Sequence, residues 1–220
     1  METLLPAQAG AFLHDASLFR HVNDLARTTP WLHEPARLFA TYGVVLFAVL
    51  LLWSWWSAVR ADDQRAVGSS LWAPLGMLLA LAINQPIGRL VGEPRPYAVL
   101  GHVLVLVHRT SDFSFPSDHA VMAGAVAAGV LLAHRTLAGV GLVAVVAALL
   151  MAFTRVYVGA HFPGDVVAGL ALGAVVTLIG HVLTKPLLLA LVRRLAGTPL
   201  RRLVGIADRR PAPAGTPAPR

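Results

Sequence analysis

The chain has 220 residues, 56% of them hydrophobic and 13% charged, with a mean hydropathy of +0.67. Soluble domains carry about 25% charged residues, so an ordinary soluble protein is excluded, as is disorder over most of the chain. The absence of cysteine excludes disulfides, thiolate metal sites and a cysteine nucleophile, and the net charge of +7 does not argue for nucleic acid, because eight of the 18 basic residues gather in residues 185–220 beside one acid, Asp208.

In chain order, residues 15–27 put Leu18, Phe19, Val22 and Leu25 on one helical face and Arg20, Asn23, Asp24 and Arg27 on the other. That pattern predicts an amphipathic helix lying in the membrane interface. No basic, apolar and cleavage-site regions follow in the order of a secretory signal peptide. Five stretches are apolar enough to span a bilayer: residues 37–59, 70–91, 118–134, 137–153 and 165–184. The third and fourth are short and rich in Ala and Gly, which lets helices approach closely in lipid. Gly169 and Gly173 form a small-xxx-small pair for packing. Trp53, Trp55, Trp56 and Trp72 fit an aromatic belt at one boundary. The final PAPAGTPAPR is expected to be disordered. The sequence therefore predicts an all-α polytopic transmembrane bundle of about five spans plus the interfacial helix. Its parts are an N-terminal segment (1–35), a membrane domain (36–195) and a basic, Pro-rich disordered tail (196–220).

Charge sets the expected orientation. The N-terminal segment and the loops at 92–117 and 154–164 share one side, with seven basic and eight acidic residues when those at the helix mouths are included. The opposite side carries eleven basic and three acidic residues and is expected to face the cytoplasm, with the C-terminus.

The noncytoplasmic side gathers the unusual polar residues in three clusters: Arg89 to Tyr97, Phe115 to His119, and Thr154 to Asp165. Ionisable groups at membrane depth are costly and point to function. Arg89, Arg95 and Arg155 offer forked donors that match phosphate oxygens. Ser117 and His119, and likewise Pro163 and Gly164, stand at helix starts, where backbone N–H groups bind anions. His119 and His161 can supply a nucleophile and an acid, and Asp165, one turn after His161, can hold its tautomer. Together these suit phosphoryl transfer without a metal or other cofactor. Alternatives remain for each residue alone. Ser117 can be a helix cap, Pro163 a first-turn proline, and His161 with Asp165 a polar pair at a helix end. His119, His161 and Asp165 could ligate a metal, against the repulsion of three arginines. Ser117, Asp118 and His119 are adjacent and cannot easily align as a hydrolase relay. Asn84 and Gln85 either satisfy carbonyls freed at Pro86 or face the polar pocket. His14, His21, His33, His102, His108 and His134 are taken as interfacial or loop histidines.

The clusters resemble the type-2 phosphatidic acid phosphatase superfamily. Arg95-Pro96 is similar to the end of its first block, Pro116-Ser117-Asp118-His119 to its second, and Thr154-Arg155 with His161 and Asp165 to its third. The resemblance covers roughly residues 70 to 185. The family lysine would fall at Gly88, and Arg89 beside it leaves the helix about 100° away. Asp118 stands where the family has glycine. The run Phe-Pro-Ser-Asp-His resembles the bacitracin-resistance branch, which hydrolyses undecaprenyl diphosphate.

The resemblance implies that His161 attacks phosphorus to form a phosphohistidine, oriented by Asp165. It implies that His119 protonates the leaving oxygen and then activates water. Arg95, Arg155, Ser117 and Arg89 would bind the phosphoryl oxygens, and Asp118 would modulate, by pairing with an arginine or keeping His119 protonated. The implied substrate is a polyprenyl diphosphate in the bilayer of a bacterial plasma membrane, with the active site extracytoplasmic. The alternatives are a phosphatidate or phosphatidylglycerophosphate phosphatase, or, outside enzymes, a transporter or silent scaffold.

Overall fold

The computed structural model describes residues 6–136 and 138–204, with side chains from Asp15 onward. Seven α-helices appear among them: α1 (Pro6–Thr28), α2 (His33–Arg60), α3 (Gln64–Val91), the single turn α4 (Pro96–Val99), α5 (Asp118–His134), α6 (Val140–Tyr157) and α7 (Pro163–Ala196). The termini follow local chemistry. Asp63 caps α3 by accepting the Arg65 and Ala66 N–H groups at 2.9 and 3.1 Å. The α3 helix stops where Gly92 turns left-handed, and α7 opens on Pro163.

Among the described residues, four helices are long and apolar enough to cross a membrane: α2 with its preceding turn, α3 with α4, α6 and α7. The fifth apolar helix, α5, has 17 residues, of which twelve are buried, and it packs against α2, α3, α6 and α7. Its place at the centre explains its uniform apolarity: every side of it meets another helix. Close approach comes from glycine. A Cβ on Gly173 of α7 would lie 2.0 Å from the Val121 carbonyl oxygen of α5, and one on Gly124 would lie 2.3 Å from that of Leu170. Gly169 and Gly173 are thus packing residues.

Four sequence expectations are corrected in detail. The helix α7 runs to Ala196 instead of stopping near residue 184, because Leu188 and Val192 bury against the cytoplasm-proposed ends of α2 and α3. The α1 helix buries Ala16, Phe19, Asn23 and Ala26, while Leu18 and Leu25 are exposed. The buried stripe packs on α6 and α7, so Asn23, assigned to the polar face, lies inside. Trp72 does not join an aromatic belt; it fills the α3–α7 seam left open by Gly180 and donates to the Thr177 carbonyl at 2.9 Å. The chain past Ala196 continues as a 3-10 turn, Pro199–Leu203, because Trp55 donates to the Leu203 carbonyl and Val204 is buried against α2, α3 and α7. The expected disorder of residues 211–220 lies outside the described residues.

The α5–α7 seam is testable. Gly173→Leu should lower the melting temperature of the detergent-solubilised protein, since overpacking costs about 1–3 kcal/mol or more where backbone is the obstacle. An unchanged melting curve would show that the two helices are not packed this closely.

Candidate active site

The three sequence clusters meet at one end of the bundle, around a cavity of about 300 Å³ lined by Arg95, Asp118, His119, Arg155 and His161. The cavity also touches Ala40 and Thr41 of α2 and, from the long loop, Tyr97, His108 and Asp112. A larger groove of about 530 Å³ between α5, α6 and α7 is apolar, with Arg135 as its one charged lining residue. The chemistry belongs to the smaller, polar cavity.

His161 sits in the short connection between α6 and α7 and is 2% exposed. Its Nδ1 lies 2.9 Å from the Ser114 carbonyl oxygen, which can only accept, so Nδ1 carries the proton. Its Nε2 lies 3.2 Å from Arg95 Nη1, which can only donate, so Nε2 carries the lone pair. Asp165 Oδ2 is 3.4 Å from Nδ1 and also accepts the Phe162 N–H at 2.8 Å and the Ser114 hydroxyl. The nearest acceptor for Nδ1 is therefore Ser114, with Asp165 second. Burial pushes the imidazole below the ordinary histidine range; Asp165 pulls it back, and Arg155 and Arg95 add to the depression. The ring is neutral at pH 7, as a nitrogen nucleophile must be.

The arginines are held from behind. Arg95, 8% exposed, donates from Nε and Nη2 to the two Asp112 oxygens at 3.0 Å each, and from Nη1 to the Ala160 carbonyl at 3.0 Å. Arg155, equally buried, donates from Nη1 to the Ala40 carbonyl at 3.4 Å, while its Nε has no partner. Ser117 Oγ is also buried without a partner, between two residues that line the cavity. Ser117 does not cap α5 with its side chain, and its N–H goes to the Asp165 carbonyl at 3.2 Å. His119 lines the cavity and makes no hydrogen bond among the described residues. Unused donors on Arg155 and Ser117 thus lie at or beside a cavity where two guanidinium groups converge, an arrangement that can receive an anionic group.

Two sequence expectations are not met by the geometry. Arg89 is exposed on the last turn of α3 and does not line the cavity. Gly88, one residue earlier, is the position that faces inward, with its Cβ site 3.2 Å from the Phe115 carbonyl. Asp118 pairs with neither an arginine nor His119. Its Oδ1 instead accepts from Asn84 Nδ2 at 2.7 Å and Gln85 Nε2 at 3.1 Å, so these two residues of α3 support a cavity-lining side chain without lining the cavity themselves. Sequence reasoning missed Ser114, Asp112 and His108. Ser114 and Asp112 act through loop geometry; His108 was set aside as a loop histidine. Among the described residues no group of His, Asp or Glu side chains is arranged to hold a metal ion.

Comparison with known proteins agrees with this picture. Residues 69–187 match the PAP2 superfamily. The chain is 30% identical over 159 residues to the undecaprenyl-diphosphatase BcrC of Bacillus subtilis, covering 72% of this chain and 78% of that protein. It is 40% identical over 104 residues to the decaprenylphosphoryl-5-phosphoribose phosphatase of Mycobacterium tuberculosis, covering 47% of this chain and 55% of that one. Its structure is similar to the crystal structure of Aquifex aeolicus LpxE, with a TM-score of 0.55 and 27% identity, over 74% of this chain and 92% of the other.

Asp112 offers a check on the arginine clamp. Partial burial pushes its carboxyl up, but hydrogen bonds from Arg95 and Thr110, with the Arg95 charge, outweigh this and hold it below the ordinary range. A depressed carboxylate stabilises the fold above its ordinary value of about 3.9, and the contribution is lost as pH falls through the lower folded-state value. Asp112→Asn should therefore melt a few degrees below wild type at pH 7, with the gap closing below about pH 4. Asp112 is largely solvent-facing, which keeps the effect modest. A gap that persists at pH 3 would locate the loss elsewhere.

Proposed function

The chain belongs to the PAP2 superfamily, and from that premise we propose that it hydrolyses undecaprenyl or a similar polyprenyl diphosphate to the monophosphate and inorganic phosphate. The coarser statement, a membrane-embedded lipid phosphatase, rests on the family and on its relatives. The observation that carries the finer one is the single-tautomer His161, whose Nε2 lone pair points to the Arg95 guanidinium in a cation-lined cavity. Homology to the bacitracin-resistance branch supports the diphosphate.

In this scheme Nε2 of His161 attacks the terminal phosphorus. The P–N bond forms as the bond to the bridging oxygen breaks, and His119 gives that oxygen a proton. Water then attacks the phosphohistidine while His119 takes its proton, the P–N bond breaks and phosphate leaves. Arg95, Arg155 and Ser117 hold the nonbridging oxygens, so positioning and fixed charge supply most of the rate. Arg89 has no part in this set. No metal is required, because two guanidinium groups balance the charge that a cation would otherwise carry. In this reading the chain crosses a bacterial plasma membrane five times, with α5 as the third crossing and α1 in the interface, and the excess of basic residues on the opposite side supports an extracytoplasmic site. The lipid tail stays in the bilayer. A second reading, a prenyl-linked phosphate monoester, is favoured by the 40% identity to the phosphoribose phosphatase.

Purified protein should release phosphate from undecaprenyl diphosphate faster than from farnesyl diphosphate, phosphatidate, phosphatidylglycerophosphate or a polyprenylphosphoryl pentose 5-phosphate. His161→Ala should abolish release, and excess EDTA should not. A tenfold preference in kcat/KM for a monoester, about 1.4 kcal/mol, would reassign the substrate while leaving the histidines in place.

Orientation is tested separately. A reporter fused after Arg220 should read as cytoplasmic and one inserted near Ser111 as extracytoplasmic; the reverse pattern would overturn the assignment of sides.

A further inference from the structure

We propose that Ser114, which lies outside the three family blocks, is a positioning residue for the nucleophile: its carbonyl sets the His161 tautomer and its hydroxyl anchors Asp165. The proposal rests on the phosphatase reading above. Ser114 is fully buried, and its own N–H is tied to the Glu93 carbonyl at 2.7 Å, so its position is set by the backbone leaving α3.

Three oxygens surround His161 Nδ1. The Ser114 carbonyl is at 2.9 Å, Asp165 Oδ2 at 3.4 Å and Ser114 Oγ at 3.5 Å. Two of the three belong to Ser114. The hydroxyl has one proton, and it goes to Asp165 Oδ2. Its lone pairs are then left toward Nδ1. Asp165 Oδ2 must also receive the Phe162 N–H, so this one oxygen is shared between a helix start and a serine. Removing the Ser114 hydroxyl leaves Asp165 Oδ2 with less hydrogen bonding and free to move toward the ring. The carbonyl remains, so the tautomer is kept while the carboxylate is displaced. A 1 Å misplacement of a reacting group can cost about a hundredfold in rate.

The test compares wild type with Ser114→Ala and Ser114→Thr in detergent, using phosphate release from undecaprenyl diphosphate. Ser114→Ala should lose roughly 10- to 100-fold in kcat with KM within about twofold, and Ser114→Thr should recover most of it. The acid limb of kcat/KM should move to higher pH in Ser114→Ala. A carboxylate with one donor fewer attracts the imidazolium more strongly, while Arg95, Arg155, His119, Asp112 and Asp118 around the cavity are unchanged. Tautomer is read without turnover: in 15N-histidine-labelled wild type, with His161→Ala assigning the signal, His161 should carry its proton on Nδ1. Wild-type kcat in Ser114→Ala, equal losses in the Ala and Thr variants, or a proton on Nε2 would overturn the proposal. Absence of phosphate release from every wild-type preparation would instead overturn the phosphatase reading, and the nitrogen signal in Asp165→Asn, where a proton kept on Nδ1 supports the Ser114 carbonyl and one moved to Nε2 overturns its role, would still test the proposal.

Discussion

Two guanidinium groups kept nearly dry at the end of an apolar bundle are the constraint to which the rest of this structure answers. A buried cation without partners costs several kcal/mol, so each must find acceptors that leave some donors free. Arg95 spends its fork on the exposed Asp112 and on the Ala160 carbonyl, and Arg155 reaches the Ala40 carbonyl. The acceptors come from the long loop, the α6–α7 connection and α2. The cavity is therefore assembled from segments that lie far apart in the chain. Arg155 Nε and Ser117 Oγ are left without partners.

That arrangement requires the loop to be held, and the N-terminal helix holds it. Asn23 clamps Leu104 in both directions, donating to its carbonyl at 2.8 Å and accepting its N–H at 3.0 Å. Arg27 donates to the His102 carbonyl, and Asp15 accepts the Gly164 N–H at 2.9 Å at the start of α7. The loop in turn lies against the connection that carries His161: Leu106 donates to the Val158 carbonyl at 3.0 Å. Here glycine is obligatory, since Gly159 has φ +80° and a Cβ would sit 2.3 Å from the Leu104 oxygen. Instead of simply floating in the interface, α1 is a strap whose apolar stripe closes over α6 and α7.

The helices and the grouping of the two histidines at one cavity were legible because each rests on a local signal. Apolar runs of span length mark α2, α3, α6 and α7, and the spacing of Arg155, His161 and Asp165 survives as a linear pattern. Ser114 and Asp112 carry no such signal. A serine and an aspartate in a polar loop have many ordinary uses, and only the fold brings them to His161 and Arg95. The error at Asn23 has a similar origin. Amphipathic counting treats a polar residue as outward-facing, whereas a carboxamide can be buried wherever it meets both groups of an unpaired peptide. Trp72 was misassigned because position along the span says nothing about which face a ring occupies.

The missing lysine and the extra carboxylate belong to one local problem. At Gly88 the backbone of α3 comes within reach of the Phe115 carbonyl, so a long side chain there would have to be redirected past the loop. The cavity loses a cation on that side and gains Asp118 beside it, a change of two units toward negative. The carboxylate is held by the neutral donors Asn84 and Gln85, not by an arginine. Its side chain therefore lines the cavity without a direct ion pair to Arg95 or Arg155, although Arg155 lies close enough to feel its charge. The formal charges of Arg95, Arg155, Asp112 and Asp118 thus cancel across a cavity only about 300 Å³ in volume, yet they are unevenly placed, because Arg95 is tied to His161 and Asp118 to α3.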